Sequence, residues 1–376
     1  MMKKHAIVGA MCAVASVTVF AQSSVTIYGI LDAGLTYVSN TGGAHAYLFD
    51  DGVSYANRLG FKGTEELGGG IKAVFRLENG FGLGTGKLHQ GGALFGRAAY
   101  VGLSSDIGTL TLGNQRDFAF DFTSNYNVSA FANGYGVHQG DFDRQGGDNM
   151  NNAVKFVSND FHGLVVGGMY SFSNTAGNFR DGSAWSVGAT YTAGNFSAGG
   201  NYTRLNSPRG ISGLDPYAQI GVRSMLGQRV ATVDPTTGAV TSLYSSTSFK
   251  VDSQSSFGIG AQYVFGDLTV KGDFSDTVFK GYGNSSAMLV YEGGGIYQVT
   301  APLSVVAGYQ YSTFESHHWH QASVGAHYLL SKATDIYAGV DWARASEGVN
   351  AVIGYSFTPS STRTQTAARV GMRHNF

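Results

Sequence analysis

Apolar and polar residues alternate with a period of two in sixteen segments of this 376-residue chain. In the clearest of them, residues 185–192 and 256–265, every second residue is apolar. The last eleven residues, 366–376, set a mostly apolar row against a row that holds Arg369 and Arg373. Successive side chains of a β-strand point to opposite faces, so this period predicts strands that separate an apolar from a wet environment. The sequence therefore predicts an all-β protein.

Composition favours a membrane barrel over a soluble sheet protein. Charged residues make up only 13% of the chain, which holds 55 Gly, 21 Tyr and 24 Phe. These proportions suit many strands that show one face to lipid. No apolar run of 18 residues follows residue 21, so transmembrane helices are not predicted. The formal charge of −1 argues against a nucleic-acid partner.

The first 21 residues have the organisation of an export signal. Lys3 and Lys4 precede an apolar stretch, residues 6–20, and Ala21 ends a small-residue cleavage motif. We expect residues 1–21 to be the signal peptide and residues 22–376 to form one barrel domain. The only cysteine, Cys12, lies within the expected signal. Disulfides and thiolate–metal sites are therefore not expected, and the sequence suggests no cofactor, no metal site and no catalytic residue. Whether a loop binds a cation such as calcium stays open.

The connections between the predicted strands alternate between long and tight. The long ones are residues 39–57, 82–92, 118–151, 174–182, 207–251, 280–286 and 347–365, and the seventh in order, residues 316–317, is a short exception. The tight ones are residues 67–69, 106–107, 160–163, 194–195, 266–267, 301–302 and 332–333. One rim of loops and one rim of turns are typical of a 16-stranded antiparallel transmembrane β-barrel. Such a barrel encloses an aqueous channel, and we expect the third loop to fold inward and narrow it.

Five segments resemble the general diffusion porins of beta-proteobacteria, a family of trimeric sixteen-stranded barrels. They are residues 23–38, 58–81, 95–115 (FGRAAYVGLSSDIGTLTLGNQ), 151–174 and 371–376 (GMRHNF). The resemblance implies a homotrimer in the outer membrane of a Gram-negative bacterium, surrounded by outer-membrane lipid and lipopolysaccharide. It implies passive diffusion of ions and small hydrophilic solutes. It also implies that the terminal Phe376 is an assembly signal read by the barrel-assembly machinery.

Local motifs and strand parity identify candidates for a pore constriction. The resemblance places Arg58 and Arg97 on the channel wall, and both lie on the face of their strand opposite to the apolar row. Guanidinium groups stay charged at ordinary pH, so the two arginines predict a fixed positive strip. The third loop would supply acids across the gap. The full candidate set is Arg58, Lys62, Arg97, Arg116, Asp117, Asp121, Asp141, Asp143, Arg144 and Lys155.

Two positions depart from the pattern of the resembled family. Asn114 and Asn149 stand where relatives often carry arginine, so Arg116, Arg144 or Lys155 are candidate replacements for the missing positive charges. The sign of the ion selectivity therefore stays open. Arg58 and Arg97 could also serve only to brace the wall.

Other functions and sites remain as alternatives. A substrate-specific channel is the main one, and an outer-membrane barrel enzyme is the second, although no G-x-S-x-G motif is present. His317, His318 and His320 are interpreted as a solvated hairpin tip, and the glycines after Glu292 as a point of close approach or bending. Residues 217–229 are a candidate helix. Neither solute preference nor the role of residues 207–251 follows from the sequence.

Overall fold

A computed structural model describes residues 23–207 and 214–376. It is a closed antiparallel barrel of 16 strands. The strands, numbered in chain order, are β1 Ser24–Thr41, β2 Arg58–Gly68, β3 Ile71–Gly80, β4 Ala98–Ser105, β5 Gly108–Arg116, β6 Asn149–Ser158, β7 Leu164–Ser171, β8 Ala184–Ala193, β9 Phe196–Asn206, β10 Ser253–Phe265, β11 Leu268–Gly281, β12 Asn284–Gln298, β13 Leu303–Phe314, β14 His317–Leu329, β15 Thr334–Ala345 and β16 Thr364–Asn375. The predicted fold class is thus confirmed. The expected signal peptide, residues 1–21, lies outside the described residues.

The first and last strands close the barrel. Residues 30–38 of β1 pair with residues 367–375 of β16, and residues 24–30 of β1 pair with β2. The backbones of Gly29 and Phe376 exchange two hydrogen bonds, of 2.9 and 3.1 Å, at the end of this seam. Closure gives the backbone N–H and C=O groups of the first and last strands hydrogen-bond partners. This is required because no water reaches backbone groups inside a bilayer.

The period-two pattern separates the two faces of the wall. On β1, Val25, Ile27 and Leu35 are exposed on the outer face, whereas Asp32 and Thr36 are buried inside. Exposed apolar side chains are what a lipid-facing surface requires. In the described part of the chain, no helix is long and apolar enough to span a membrane.

Loop lengths differ from expectation at two connections. The first loop was expected to span residues 39–57, but β1 continues to Thr41 and pairs with an additional strand, Ala44–Asp51. Gly42 and Gly43, both at positive φ, make the tight turn between them. The sixth loop, expected over residues 280–286, shrinks to a turn at Tyr282 and Gly283 because both residues take the positive φ of a two-residue hairpin.

The third loop, called L3 (residues 117–148), folds into the barrel as a series of short helical turns. These are a π-type turn Ala119–Thr123, a 3-10 turn Ser124–Tyr126, an α-helix Ala130–Asn133 and a 3-10 turn Gln139–Asp141. A third 3-10 turn, Gln90–Gly92, lies in the second loop.

Inward-facing glycines of the wall let L3 approach the strands closely. A Cβ on any of them would come within 2.2–3.0 Å of an L3 atom, which real side chains do not tolerate. The glycines, each with the L3 residue that it meets, are Gly167 (Phe118), Gly199 (Phe122), Gly260 (Tyr126), Gly308 (Ser129), Gly325 (Ala132) and Gly339 (Asn133). We call these six residues the glycine track. Gly294, in the glycine run after Glu292, likewise lies under Val128, at 2.9 Å.

The fifth loop, called L5, connects β9 to β10, and residues 207 and 214–252 of it are described. The candidate helix over residues 217–229 is shorter than expected. It spans Pro216–Ile220, capped by the side chain of Asp215 and ended by Gly221 at positive φ. Short strand pairs follow, Ser224–Met225 with Gln228–Arg229 and Ala231–Val233 with Val240–Ser242. Ile220, Val222, Met225 and Phe249 pack with Phe142 of L3 and with inner-wall side chains, so L5 covers L3 from inside the barrel.

Candidate functional site

A cavity of about 350 Å³ lies between the inner wall and L3. Its lining includes Arg58, Arg76, Glu78, Arg97, Tyr100, Arg116, Phe120, Asp121 and Lys155. Five of these side chains are cationic and two are acidic, a formal excess of three positive charges. The structure thus brings together five of the ten candidate residues: Arg58, Arg97, Arg116, Asp121 and Lys155. We call this place the neck.

Glu78 on β3 organises the wall side of the neck. Its Oε1 accepts from Arg97 Nε at 2.8 Å, and its Oε2 accepts from an Arg76 Nη at 2.5 Å and from the Tyr28 hydroxyl at 2.7 Å. Arg58 is oriented separately, because its Nε–H donates to the Ala56 carbonyl at 2.9 Å. One buried carboxylate therefore holds two guanidinium groups, and charge-assisted bonds of this kind fix side-chain geometry.

The L3 side of the neck carries both charge and an aromatic ring. Lys155 forms an ion pair with Asp121 and donates to the Arg116 carbonyl at 2.8 Å. The Arg116 guanidinium lies 3.8 Å from the centre of the Phe120 ring, a cation–π contact. These contacts join β5, β6 and L3, so the position of L3 fixes the width of the neck.

The two asparagines that depart from the family pattern meet each other in space. Asn149 Nδ2 donates to Asn114 Oδ1 at 2.9 Å and to the carbonyls of Gly96 and Arg97 at 2.8 and 2.9 Å. A neutral amide bridge therefore stands beside Arg97. The nearby positive charges come from Arg116 and Lys155, two of the three candidate replacements.

Three candidate residues lie inside L3 instead of facing the neck. Asp117 is fully buried and accepts from Arg144 Nε at 2.5 Å, and Arg144 also pairs with Asp148 at 3.2 Å. Desolvation opposes charge on Arg144, but these carboxylates outweigh it and raise the pKa of the guanidinium. Asp143 is 3% exposed and pairs with His138 at 2.5 Å between Asp143 Oδ2 and Nδ1. The expected roles of Asp117, Asp143 and Arg144 as groups facing the neck are corrected accordingly: their partners hold them in the fold of the loop.

The remaining candidates lie outside the neck. Asp141 borders a larger space of about 740 Å³ within the barrel and accepts from the Gly146 amide at 2.7 Å. Desolvation, followed by repulsion from Asp148 and Asp143, raises the pKa of Asp141 well above its ordinary value. Lys62 is exposed on the inner wall, with its Nζ 5.5 Å from the centre of the Tyr28 ring.

Residues of the neck that the sequence reasoning missed are Arg76, Glu78 and Phe120. Strand parity contained a signal for the first two, since Arg76 and Glu78 alternate with Phe75 and Leu77 and therefore face inward. For Phe120 there was no such signal, because L3 has no regular period.

Comparison with known proteins agrees with the barrel fold. A family model described as Gram-negative porin matches residues 7–348. An outer membrane porin protein of Bordetella pertussis is 32% identical over 237 residues, which cover 55% of this chain and 60% of that protein. Outer membrane porin protein 32 of Delftia acidovorans is 27% identical over 394 residues and matches 100% of both chains.

Solved structures match the same fold. An anion-selective porin from Comamonas acidovorans superposes with a TM-score of 0.72 at 22% identity, over 94% of this chain and 100% of that one. The trimer form of OmpT from Vibrio cholerae superposes with a TM-score of 0.67 at 15% identity, over 94% and 99%. The chain is therefore a member of the Gram-negative porin family and resides in the outer membrane.

Proposed function

We propose that the neck is the selectivity constriction of a water-filled channel for passive diffusion of ions and small hydrophilic solutes. Membership of the porin family and the barrel fold indicate a channel instead of an enzyme. The observation that carries the proposal is the formal excess of three positive charges where L3 narrows the lumen. A charged ring in a narrow aqueous passage sets selectivity by raising the local concentration of the opposite ion.

The sign of that excess favours anions. Glu78 and Asp121 neutralise part of the charge, but Arg58 and Arg116 form no ion pair among the described residues. The similar Comamonas acidovorans structure is described as anion-selective, which supports the same preference here. We therefore propose that small anionic solutes permeate the channel preferentially.

We also propose that three copies assemble in the outer membrane. A related solved structure is a trimer form, and exposed apolar side chains cover the outer wall of this barrel. Near the rim of long loops, Trp342, Arg344 and Arg363 are exposed and border one concavity on the outside. The positive charges of the two arginines suit the phosphate groups of lipopolysaccharide, the proposed lipid neighbour.

The test of the neck is a charge-removal variant. Arg58→Ala combined with Arg97→Ala leaves a formal excess of one positive charge. A unit charge about 7 Å from a permeating ion contributes about 0.6 kcal/mol in water. Losing two should lower the anion-to-cation permeability ratio about threefold to sevenfold once salt screening is included. The reversal potential in a salt gradient across a planar bilayer measures this ratio.

A matched control removes the same charge elsewhere. Lys87 in the second loop and Lys332 in a turn at the opposite rim are both exposed. Lys87→Ala combined with Lys332→Ala should leave the reversal potential close to that of the unaltered channel. A neck variant that behaved like this control would reject the role of Arg58 and Arg97 in selectivity.

A further inference from the structure

A cluster of ionisable side chains away from the neck joins L3 to β11 and β12, on the side of the barrel wall that does not line the neck. His138 and Asp143 belong to L3, Asp273 to β11 and Glu292 to β12. All four are at least nine-tenths buried, and none of them lines the neck. We call them the His138 cluster.

Two distances in this cluster are close to those between the ligands of one metal ion. His138 Nε2 lies 3.0 Å from Glu292 Oε2 and 3.4 Å from Asp273 Oδ2. One nitrogen or oxygen atom from each of the three residues lies within 4.8 Å of the others. Ligands of a tetrahedral zinc ion, at about 2.0–2.1 Å from the metal, are about 3.3–3.4 Å apart.

The second nitrogen of the ring is held in the way that metal-bound histidines are held. His138 Nδ1 lies 2.5 Å from Asp143 Oδ2. A neutral imidazole that donates Nδ1–H to Asp143 turns its Nε2 lone pair toward the two other carboxylates. Carboxylate–histidine–metal chains have this arrangement, in which the outer carboxylate fixes the tautomer and orients the ring.

The charges of the cluster call for a cation. Three carboxylates face a single imidazole, so acidic side chains outnumber basic ones in this buried cluster. Burying unpaired charge is costly. Lys271, the neighbouring cation, donates instead to the Asn125 carbonyl at 2.7 Å, and its Nζ stands 4.1 Å from the centre of the Phe131 ring.

Buried oxygen atoms of the cluster also lack partners. Within the described residues, no hydrogen bond reaches Asp273 Oδ1 or Gln145 Oε1, although both atoms are buried. The Gln145 amide belongs to the same place, because its Nε2 donates to Asp273 Oδ2 at 3.0 Å. Buried polar atoms without partners often mark an ion or a water that is bound there.

We propose that His138, Asp273 and Glu292 bind one divalent transition-metal cation of the zinc class. Imidazole is a poor ligand for Ca²⁺ and Mg²⁺ but suits Zn²⁺, Co²⁺ and Ni²⁺, which selects this class of ion. The bound ion fastens L3 to β11 and β12 and thereby stabilises the narrowed lumen. The site does not depend on the selectivity proposed for the neck.

The test uses the purified, folded porin in detergent after treatment with a chelator and dialysis. Isothermal titration with Zn²⁺ should give one site per chain, whereas Ca²⁺ should not compete. Co²⁺ should give the visible absorption of a tetrahedral complex with nitrogen and oxygen ligands. His138→Gln should abolish both signals. Asp143→Asn keeps all three ligands and should weaken binding about 10- to 100-fold.

Controls separate this site from surface binding. His318 and His320 are on the outer face near the loop rim, with ring centres 5.6 Å apart, and can bind metal weakly. The double variant His318→Gln, His320→Gln should retain the full signal. Migration as a folded trimer on an unheated gel verifies each variant, and Glu292→Gln replaces His138→Gln if the latter does not fold.

Two outcomes would overturn the proposal. One is the absence of Zn²⁺ binding to the unaltered protein at micromolar concentrations, which would assign the cluster to a buried imidazolium. The other is binding that survives His138→Gln or Glu292→Gln but disappears in the His318 and His320 double variant.

Discussion

At the scale of single residues, the amide bridge between Asn149 and Asn114 is the feature that distinguishes this neck. Asn149 uses its side chain to hold the backbone that carries Arg97. An arginine at that position would add a positive charge next to the backbone of Arg97. Position 149 therefore offers a way to raise the charge of the neck without touching its existing cations.

Asn149→Arg should make the channel more anion-selective. One added unit charge near the permeation path should raise the anion-to-cation permeability ratio about twofold to threefold, by the same Coulomb estimate as above. Reversal potentials in a salt gradient measure the change. Asn149→Gln, which alters the same hydrogen bonds but adds no charge, is the control. An equal effect of both variants would mean that the lost bridge, and not the charge, moves the potential.

Sequence reasoning placed residues on regular strands better than residues in loops. Parity put Arg58 on the inner face because a strand alternates its side chains strictly. The parity argument for Arg97 was wrong: Ala98 and Tyr100 are the inward residues of β4, and Arg97 reaches the neck from the position just before this strand. The acids of L3 carry no such constraint, and their positions depend on partners far away in the chain. Asp143, for example, faces His138 within L3, and His138 in turn faces Glu292, which is 154 positions further along. No local pattern could have paired them.

At the scale of elements, the glycine track lets L3 lie directly against the wall. Long side chains of the wall, among them Gln254, Lys271 and Gln310, donate hydrogen bonds to L3 carbonyls. Carbonyl or side-chain atoms of L3 occupy the space that a Cβ would need on β7, β9, β10, β13, β14 and β15. Glycine at these positions is therefore a requirement of the inward loop. The abundance of glycine, noted in the sequence as a sign of strands in lipid, has this second cause.

Gly325→Ala should displace L3. The added Cβ would lie 2.2 Å from the Ala132 carbonyl oxygen and 2.7 Å from its carbon, and backbone atoms cannot move aside as a flexible side chain can. Overpacking of this kind costs about 1–3 kcal/mol. The thermal stability of the folded trimer should fall and the single-channel conductance should rise, because the loop moves away from the wall.

Gly293→Ala is the matched control on β12, since a Cβ there meets nothing within 4 Å. It should leave stability and conductance near those of the unaltered protein. If Gly325→Ala did the same, the close approach of L3 to the wall would not exist in the membrane.

At the scale of the whole molecule, the seam between β1 and β16 decides whether the barrel exists. Phe376 takes part through its backbone, which exchanges two hydrogen bonds with Gly29. Its ring covers Gly29 and remains 55% exposed. The terminal residue therefore combines two separable contributions: a backbone that closes the sheet and an aromatic ring that stays accessible.

Phe376→Ala separates these contributions, because it keeps the backbone hydrogen bonds and removes only the ring. If the ring is an assembly signal, outer-membrane yield should fall several-fold in cells, whereas protein refolded in detergent should keep the thermal stability of the unaltered barrel. Phe265, at the same rim and 59% exposed, supplies the control Phe265→Ala, which should leave the yield in cells unchanged. Equal losses of yield for the two variants would mean that Phe376 is not a specific assembly signal. Its ring would then contribute no more than any other exposed aromatic residue of the interfacial belt. If only Phe376→Ala lowered the thermal stability of the refolded barrel, the ring would instead help to hold β1 and β16 together.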